Sequence, residues 1–283
     1  MCCYKGTAME QRDLFDLGLA ADLSMWMQSP LNRRRLLKMG ALSLGAFLAG
    51  CQLPAATETA STSSAATTTD CPTEIPGETA GPYPADGSNA SQQTLNALDI
   101  SGIVRQDIRT SIGTQNTAQG VPMTVEFTLV DTNNACAPLA GYAFYAWHCT
   151  REGGYSMYSE GLTDEDFLRG VQATDSEGKA TFQSIFPGCY LGRWPHVHFE
   201  IYPSLERATG SSNAVHTSQL ALPEADCNAV YATDGYGSSA QNLAQITLAT
   251  DNVFSDSYEL QMATVTGNVS DGYTAKLTVG VAV

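Results

Sequence analysis

The chain has 283 residues, 43% of them hydrophobic, and a formal net charge of −15 at pH 7. Six of its 14 Lys/Arg and four of its 29 Asp/Glu precede Cys51, which leaves eight basic and 25 acidic residues after it. The excess of acidic residues after Cys51 repels the phosphate backbone of nucleic acids, which excludes nucleic acid as a partner. The length suits one large domain or two ordinary ones.

Residues 1–51 are predicted to be an export signal. Arg33, Arg34 and Arg35 precede an apolar run at 39–50. At ~1.5 Å per helical residue, this run is too short to cross ~30 Å of hydrocarbon. The paired arginines resemble a twin-arginine signal, and residues 48–51 resemble a lipobox in which Cys51 becomes lipidated. We expect a periplasmic or cell-envelope lipoprotein that touches the membrane only through this anchor; the alternative is a basic amphipathic anchor that stays attached.

Residues 52–73 are rich in Ala, Ser and Thr and almost free of large hydrophobic residues. Such a segment cannot bury enough apolar surface to offset the entropy lost on ordering. We therefore interpret it as a flexible tether, followed by a folded domain at 74–283.

The domain is predicted to be all-β, a single β-sandwich. Residues 122–131 alternate between apolar and polar side chains, and clusters of turn-forming residues separate this run from similar short runs. The other predicted strands are 102–108, 141–148, 180–185, 195–202, 215–222, 260–267 and 273–281. A helix of one or two turns is expected at 164–170, whereas the tract 224–252 gives no clear pattern.

Residues 195–202 contain the pattern His196-Val-His198-Phe-Glu200. Because successive side chains of a strand point to opposite faces, His196 and His198 share one face and could hold one metal ion. The alternative is a polar strand face without metal. His148, which follows Trp147, is expected to be a hydrogen-bonded core histidine.

The order of several motifs resembles the intradiol ring-cleavage dioxygenases, and in particular the protocatechuate dioxygenase β-subunit and its secreted relatives. Each motif alone has an ordinary structural explanation, but the combination spans roughly residues 75–255. The motifs are Gly81-Pro-Tyr-Pro84, Trp147-His-Cys149, Gly154-Tyr-Ser156, Arg169-Gly-Val-Gln-Ala-Thr-Asp175, Pro187-Gly-Cys-Tyr190 and Thr217-Ser-Gln-Leu220.

This resemblance implies an Fe(III) centre held by Tyr155, Tyr190, His196 and His198. Two phenolates are hard anionic ligands that suit a hard, highly charged cation. A free tyrosine has a pKa of ~10, so only a strong Lewis acid keeps two of them ionised at neutral pH. The implied reaction is cleavage of a catechol by O2 between its two hydroxylated carbons, which yields a muconate-type diacid.

The resemblance also assigns further roles. Tyr190 would leave the iron and accept a substrate proton, and Arg193 would face the substrate ring, where its charge stabilises a developing carbanion. Gln219 matches a pocket residue, and Pro82 and Tyr83 match the segment that lines the pocket. For Arg193 the alternative is a surface salt bridge.

Five cysteines follow Cys51, namely Cys71, Cys136, Cys149, Cys189 and Cys227. In an oxidising compartment four of them could form two disulfides, and their spacing does not fix the pairing. We predict that at least one disulfide involves Cys149 or Cys189.

Two rival functions stay open at this point: a metal-free, envelope-tethered binding module, and a copper or zinc enzyme that uses His196 and His198 with His148. The scarcity of basic residues favours neutral catechols or hydroxyquinol as substrates. The sequence does not decide between a monomer and a homo-oligomer.

Overall fold

The computed structural model describes residues 71–283, so the predicted signal, Cys51 and most of the predicted tether lie outside the described residues. Nine strands are present between residues 71 and 283. They are β1 (Pro122–Asp131), β2 (Ala137–Pro138), β3 (Ala143–Trp147), β4 (Arg169–Ala173), β5 (Lys179–Ile185), β6 (His196–Tyr202), β7 (His216–Ala221), β8 (Thr264–Asn268) and β9 (Gly272–Val281).

The strands form two sheets. The larger has the order β2-β1-β9-β8, with β5 also paired to β1, and the smaller has the order β4-β3-β6-β7. β1 and β9 are parallel, and the other named pairs are antiparallel. The predicted all-β architecture is therefore confirmed.

Aromatic side chains hold the two sheets together. Phe127 of β1 stacks on Phe144 of β3 with ring centroids 4.7 Å apart, and it lies 4.9 Å from Phe199 of β6. All three side chains are completely buried. Offset and tilted ring pairs of this kind add to the free energy gained by burying their apolar surface.

β3 and β6 are buried over their whole length, which means that both faces of the smaller sheet are covered. In β6 the side chains of Val197, Phe199 and Ile201 belong to the core between the sheets. The opposite face, which carries His196 and His198, lies beneath the N-terminal part of the domain. The period-two pattern of the sequence thus decides which side chains reach this second face.

Two short helices lie in the tract that gave no clear pattern, α1 (Glu224–Tyr231) and α2 (Ser239–Leu243). Four single turns of 3₁₀-helix occupy Ala90–Gln92, Ala97–Asp99, Leu205–Arg207 and Ser211–Asn213. Within residues 71–283, no helix is long and apolar enough to cross a membrane.

Three secondary-structure predictions were wrong. Residues 102–108 form single bridges instead of a strand, because Val104 pairs with the smaller sheet and Asp107 with the larger one. The helical turns expected at 164–170 are loop followed by β4, whose Arg and Gln side chains hide its strand character. The strand expected at 260–267 begins only at Thr264.

The disulfide prediction was also wrong. The disulfide joins Cys71 to Cys136 and so ties the start of the domain to the β1–β2 turn. Cys149, Cys189 and Cys227 are free, buried thiols. Cys149 and Cys189 contact backbone carbonyl oxygens instead, with Cys149 Sγ 3.5 Å from Gly188 O and Cys189 Sγ 3.5 Å from Arg193 O.

Candidate metal centre

Four side chains meet on the covered face of the smaller sheet: Tyr155, Tyr190, His196 and His198, here called the tetrad. The distances between neighbouring donor atoms are 3.5 Å for Tyr155 Oη to Tyr190 Oη and 3.4 Å for Tyr155 Oη to His198 Nε2. Tyr190 Oη is 3.4 Å from His196 Nε2, and the two Nε2 atoms are 3.0 Å apart. The four donor atoms therefore form one ring of close neighbours.

The two histidines come from β6, and contacts with a neighbouring strand and with the loop before β6 fix their rings. Trp147 of β3 pairs with His198 in register, and its ring stacks on the imidazole at 4.9 Å with an interplanar angle of 3°. His196 Nδ1 hydrogen-bonds to the carbonyl oxygen of Trp194. A ring that donates through Nδ1 presents the lone pair of Nε2 to the tetrad.

The two tyrosines come from loops that pass close to each other. A Cβ added to Gly153, whose φ is +93°, would lie 3.2 Å from Tyr190 Cβ, so a larger residue would force the loops apart. Tyr155 is anchored through its backbone N–H, which donates to Ser159 Oγ at 2.9 Å.

The tract that gave no sequence pattern supports the Tyr190 loop. Ser239 Oγ of α2 accepts from Cys189 N at 2.9 Å, and Asn242 Nδ2 donates to Cys189 O at 2.8 Å. Both peptide groups of Cys189, the residue before Tyr190, are thus held by α2. The sequence gave no signal for this, because isolated Ser and Asn residues are common in loops.

The N-terminal segment covers the tetrad. Gly81 lies against His198, since an added Cβ would be 3.2 Å from the ring, and neighbouring Pro82 is buried. The Tyr83 ring lies 4.9 Å from the Tyr155 ring. Buried Arg169 donates to the carbonyl oxygens of Tyr83 (2.9 Å) and of Ser156 (3.0 Å), and so connects the cover to the Tyr155 loop.

Arg193 is buried, which excludes the alternative of a surface salt bridge. Its Nε donates to Asp251 Oδ2 at 3.0 Å, and its terminal nitrogen donates to Gln219 Oε1 at 2.6 Å. Gln219 pairs in register with His198, so the predicted pocket residues lie beside the tetrad. Sequence reasoning missed Asp251, which is one acidic residue among many.

His148 does not join the tetrad. Its Nε2 is 2.6 Å from Ser184 Oγ and its Nδ1 is 2.8 Å from Cys149 O, so the prediction of a hydrogen-bonded core histidine is confirmed. In residues 71–283, no group of three or more His, Cys, Asp or Glu side chains is placed to hold a metal. The tetrad offers two imidazoles and two phenols.

Burial sets the protonation of the tetrad. Burial and the charge of Arg193 lower the pKa of His196 to about 3, and burial with the neighbouring His196 takes the pKa of His198 well below its usual value. Burial, followed by repulsion from Tyr190, raises the pKa of Tyr155 well above 10. The imidazoles are therefore neutral at pH 7, and Tyr155 ionises only with help from a cation.

The tetrad fits a metal ion in both spacing and chemistry. Donors that bind one ion at about 2.1 Å lie about 3.0–3.4 Å from each other. Two imidazole lone pairs only 3.0 Å apart repel each other unless a cation or a shared proton lies between them. Phenolate oxygens with imidazole nitrogens favour a hard cation over one that prefers thiolates.

Comparison with known proteins finds similarity to dioxygenases. Residues 102–208 match the family model described as Dioxygenase. A curated chlorocatechol 1,2-dioxygenase from Rhodococcus opacus is 30% identical over 96 residues, which are 27% of this chain and 37% of that relative. The chain thus matches little more than a third of that relative's length.

The fold is also found among solved structures. An intradiol ring-cleavage dioxygenase from Tetranychus urticae superposes with a TM-score of 0.56 at 24% identity, and the match covers 74% of this chain and 95% of that one. Residues 102–208 therefore match a dioxygenase family model, and the fold is like that of an intradiol ring-cleavage dioxygenase. The resemblance of the sequence motifs to intradiol ring-cleavage dioxygenases is confirmed, whereas the particular likeness to the protocatechuate dioxygenase β-subunit stays a prediction.

A buried acid lies on the same strand face as the histidines. Glu200 and Asp86 are each 1% exposed and hydrogen-bond to each other, and Tyr202 Oη donates to Glu200 Oε2 at 2.6 Å. Burial, with repulsion from Asp86, raises the pKa of Glu200 from 4.5 to about 8. Glu200 is therefore largely protonated at pH 7.

We predict that Glu200 makes the free energy of unfolding fall as the pH rises. A raised pKa in the folded state contributes stability that is complete below about pH 4.5 and is lost as the pH approaches about 8. The variant Glu200→Gln should therefore gain free energy of unfolding relative to wild type between pH 5 and pH 8. Urea unfolding at several pH values measures this difference.

Glu165→Gln is the matched control. Burial alone would raise the pKa of Glu165, but hydrogen bonds from Ser111, Thr114 and Asn116 outweigh it and lower the pKa. The stability that Glu165 contributes is lost only as the pH falls below about 4.5. Its difference from wild type should stay constant from pH 5 to pH 8, and a constant difference for Glu200→Gln would contradict the assignment.

Proposed function

We propose that this protein is a non-haem Fe(III) intradiol dioxygenase that cleaves a catecholic aromatic with O2 between its two hydroxylated carbons, giving a muconate-type diacid. The observation that carries the proposal is the convergence of the four tetrad donor atoms within 3.0–3.5 Å of their neighbours. The dioxygenase-family segment and the fold support the same reaction class.

Tyr155, Tyr190, His196 and His198 would hold the iron. Ferric iron, when bound, supplies the Lewis acidity that ionises phenols and the electron-accepting centre that makes the catechol ring reactive towards O2. Iron binding must displace the phenolic protons, whereas the neutral histidines have none to lose at Nε2. The affinity for iron should consequently rise with pH.

The two tyrosines differ in burial, which suits different roles. Tyr155 is 2% exposed and packed against Tyr83, so it is the fixed ligand. Tyr190 is only partly buried and lies on a loop, which gives it room to move away. We assign Tyr190 as the group that accepts a proton from the incoming catechol.

Arg193 supplies a positive charge beside the tetrad. The guanidinium donates to Gln219, which pairs in register with His198, so this charge would lie close to a substrate ring held at the tetrad. A fixed cation in a site that excludes water stabilises negative charge as it develops on the substrate. Gln219 and Asp251 keep the guanidinium in place.

The first test is iron content and colour. Protein purified from iron-replete cells should contain one iron per chain and absorb visible light through tyrosinate-to-iron charge transfer. Tyr155→Phe should lose the part of this absorption that the Tyr155 tyrosinate supplies and bind iron at least about tenfold more weakly, since changes to residues outside the ligand set already cost about 10–100-fold. Metal analysis and a visible spectrum measure both quantities.

Tyr158→Phe is the control for this test. Tyr158 lies near the Tyr83 ring, but its hydroxyl oxygen accepts from Ala85 N at 2.9 Å and is not a tetrad donor. This variant should keep its iron and its colour. A colourless, iron-free wild-type protein would support the binding-module or copper and zinc alternatives instead.

The second test is the reaction itself. With catechol and ¹⁸O₂, the iron-loaded protein should consume one O2 per ring and place one labelled atom in each carboxyl group of a muconate-type diacid. Oxygen uptake and mass spectrometry of the product measure this. A semialdehyde product, or no uptake by protein that contains iron, would contradict the proposed reaction.

A further inference from the structure

Asp251 is a completely buried carboxylate next to the tetrad. Its Oδ2 accepts from Arg193 Nε at 3.0 Å and from Trp194 N at 2.7 Å. Its Oδ1 accepts from Val253 N at 2.8 Å and from Phe254 N at 3.1 Å. Four donors thus satisfy this anion, as a buried charge requires.

The network fixes Arg193 from two sides. Asp251 holds the Nε edge of the guanidinium, while Gln219 Oε1 accepts from a terminal nitrogen at 2.6 Å. Gln219 is held in turn, since its Nε2 donates to Thr79 O at 2.9 Å. A guanidinium held at both ends keeps one position relative to the strand that carries the histidines.

Asp251 and Arg193 place opposite charges side by side next to the tetrad. Arg193 Nε and Asp251 Oδ2 lie 3.0 Å apart, and both side chains are almost completely buried. The cation beside the pocket is therefore partly offset by an anion that the protein itself supplies. Such an offset weakens the attraction of the pocket for a negatively charged ligand.

We propose that Asp251 is a specificity-determining residue, which offsets the charge of Arg193 so that the pocket prefers uncharged catechol rings to rings that carry a carboxylate. This assignment rests on the proposed function and adds a substrate class to it. The acidity of the chain, −15 overall, acts in the same direction by repelling anionic substrates.

The test compares ligands of nearly equal shape and different charge. Binding of 3,4-dihydroxybenzoate and 3,4-dihydroxybenzamide to the iron-loaded protein is measured without O2, and the 2,3-dihydroxy pair is treated in the same way. The readout is the ratio of carboxylate affinity to carboxamide affinity, which requires no turnover. Wild-type protein should favour the carboxamide in both pairs.

Asp251→Asn should raise the ratio of carboxylate affinity to carboxamide affinity by about tenfold in at least one of the two ligand pairs. It should not lower the ratio in the other pair. Loss of the carboxylate charge beside Arg193 strengthens the attraction of the guanidinium for a ligand carboxylate, and a tenfold change in affinity corresponds to about 1.4 kcal/mol. A purely structural loss would weaken both ligands alike and leave the ratio unchanged. Glu165→Gln, which alters another buried carboxylate bonded to Ser111, Thr114 and Asn116, should not change the ratio.

Gln219→Glu is the second variant, which keeps the assignment testable if Asp251→Asn does not fold. It places a second carboxylate next to Arg193 and should lower the ratio below the wild-type value. Ratios that stay within about twofold of wild type in the folded variants, or that change equally in Glu165→Gln, would overturn the role of Asp251. Wild-type protein that binds none of these ligands would overturn the proposed function and, with it, this assignment.

Discussion

The site depends on four donor atoms that lie close together in a buried place, where the two imidazole lone pairs repel each other unless a cation or a shared proton lies between them. The Nε2 atoms of His196 and His198 lie 3.0 Å apart, and the phenolic oxygens of Tyr155 and Tyr190 complete the ring. Burial keeps the imidazoles neutral and disfavours ionisation of Tyr155. The fold thus positions ligands that carry no charge of their own, and Tyr155 would ionise only when a cation binds.

Three layers of structure hold this ring in place. The sheet fixes the histidines, because β6 lies between β3 and β7 and alternates its side chains between the two covered faces. Close loop packing at Gly153 and the bonds from α2 hold the tyrosines. The N-terminal cover closes the site through Gly81 and the carbonyl contacts of Arg169. Each layer uses contacts between segments far apart in sequence.

The sequence predicted best those features that depend on local periodicity. β1 matches its predicted bounds because its apolar and polar residues alternate without interruption. The meeting of Tyr155 and Tyr190 with the histidines followed from the motif order and not from periodicity. The contact of Asp251 with Arg193 was out of reach, because 58 residues separate the partners and no local pattern marks a buried carboxylate. The Cys71–Cys136 disulfide depends in the same way on distant segments meeting.

The most direct test of the central claim is a crystal structure of the iron-loaded protein with anomalous diffraction recorded at the iron absorption edge. The account predicts one iron peak per chain within bonding distance of Tyr155 Oη, Tyr190 Oη, His196 Nε2 and His198 Nε2. An iron peak elsewhere, or tyrosine oxygens that lie far from both imidazoles, would contradict it.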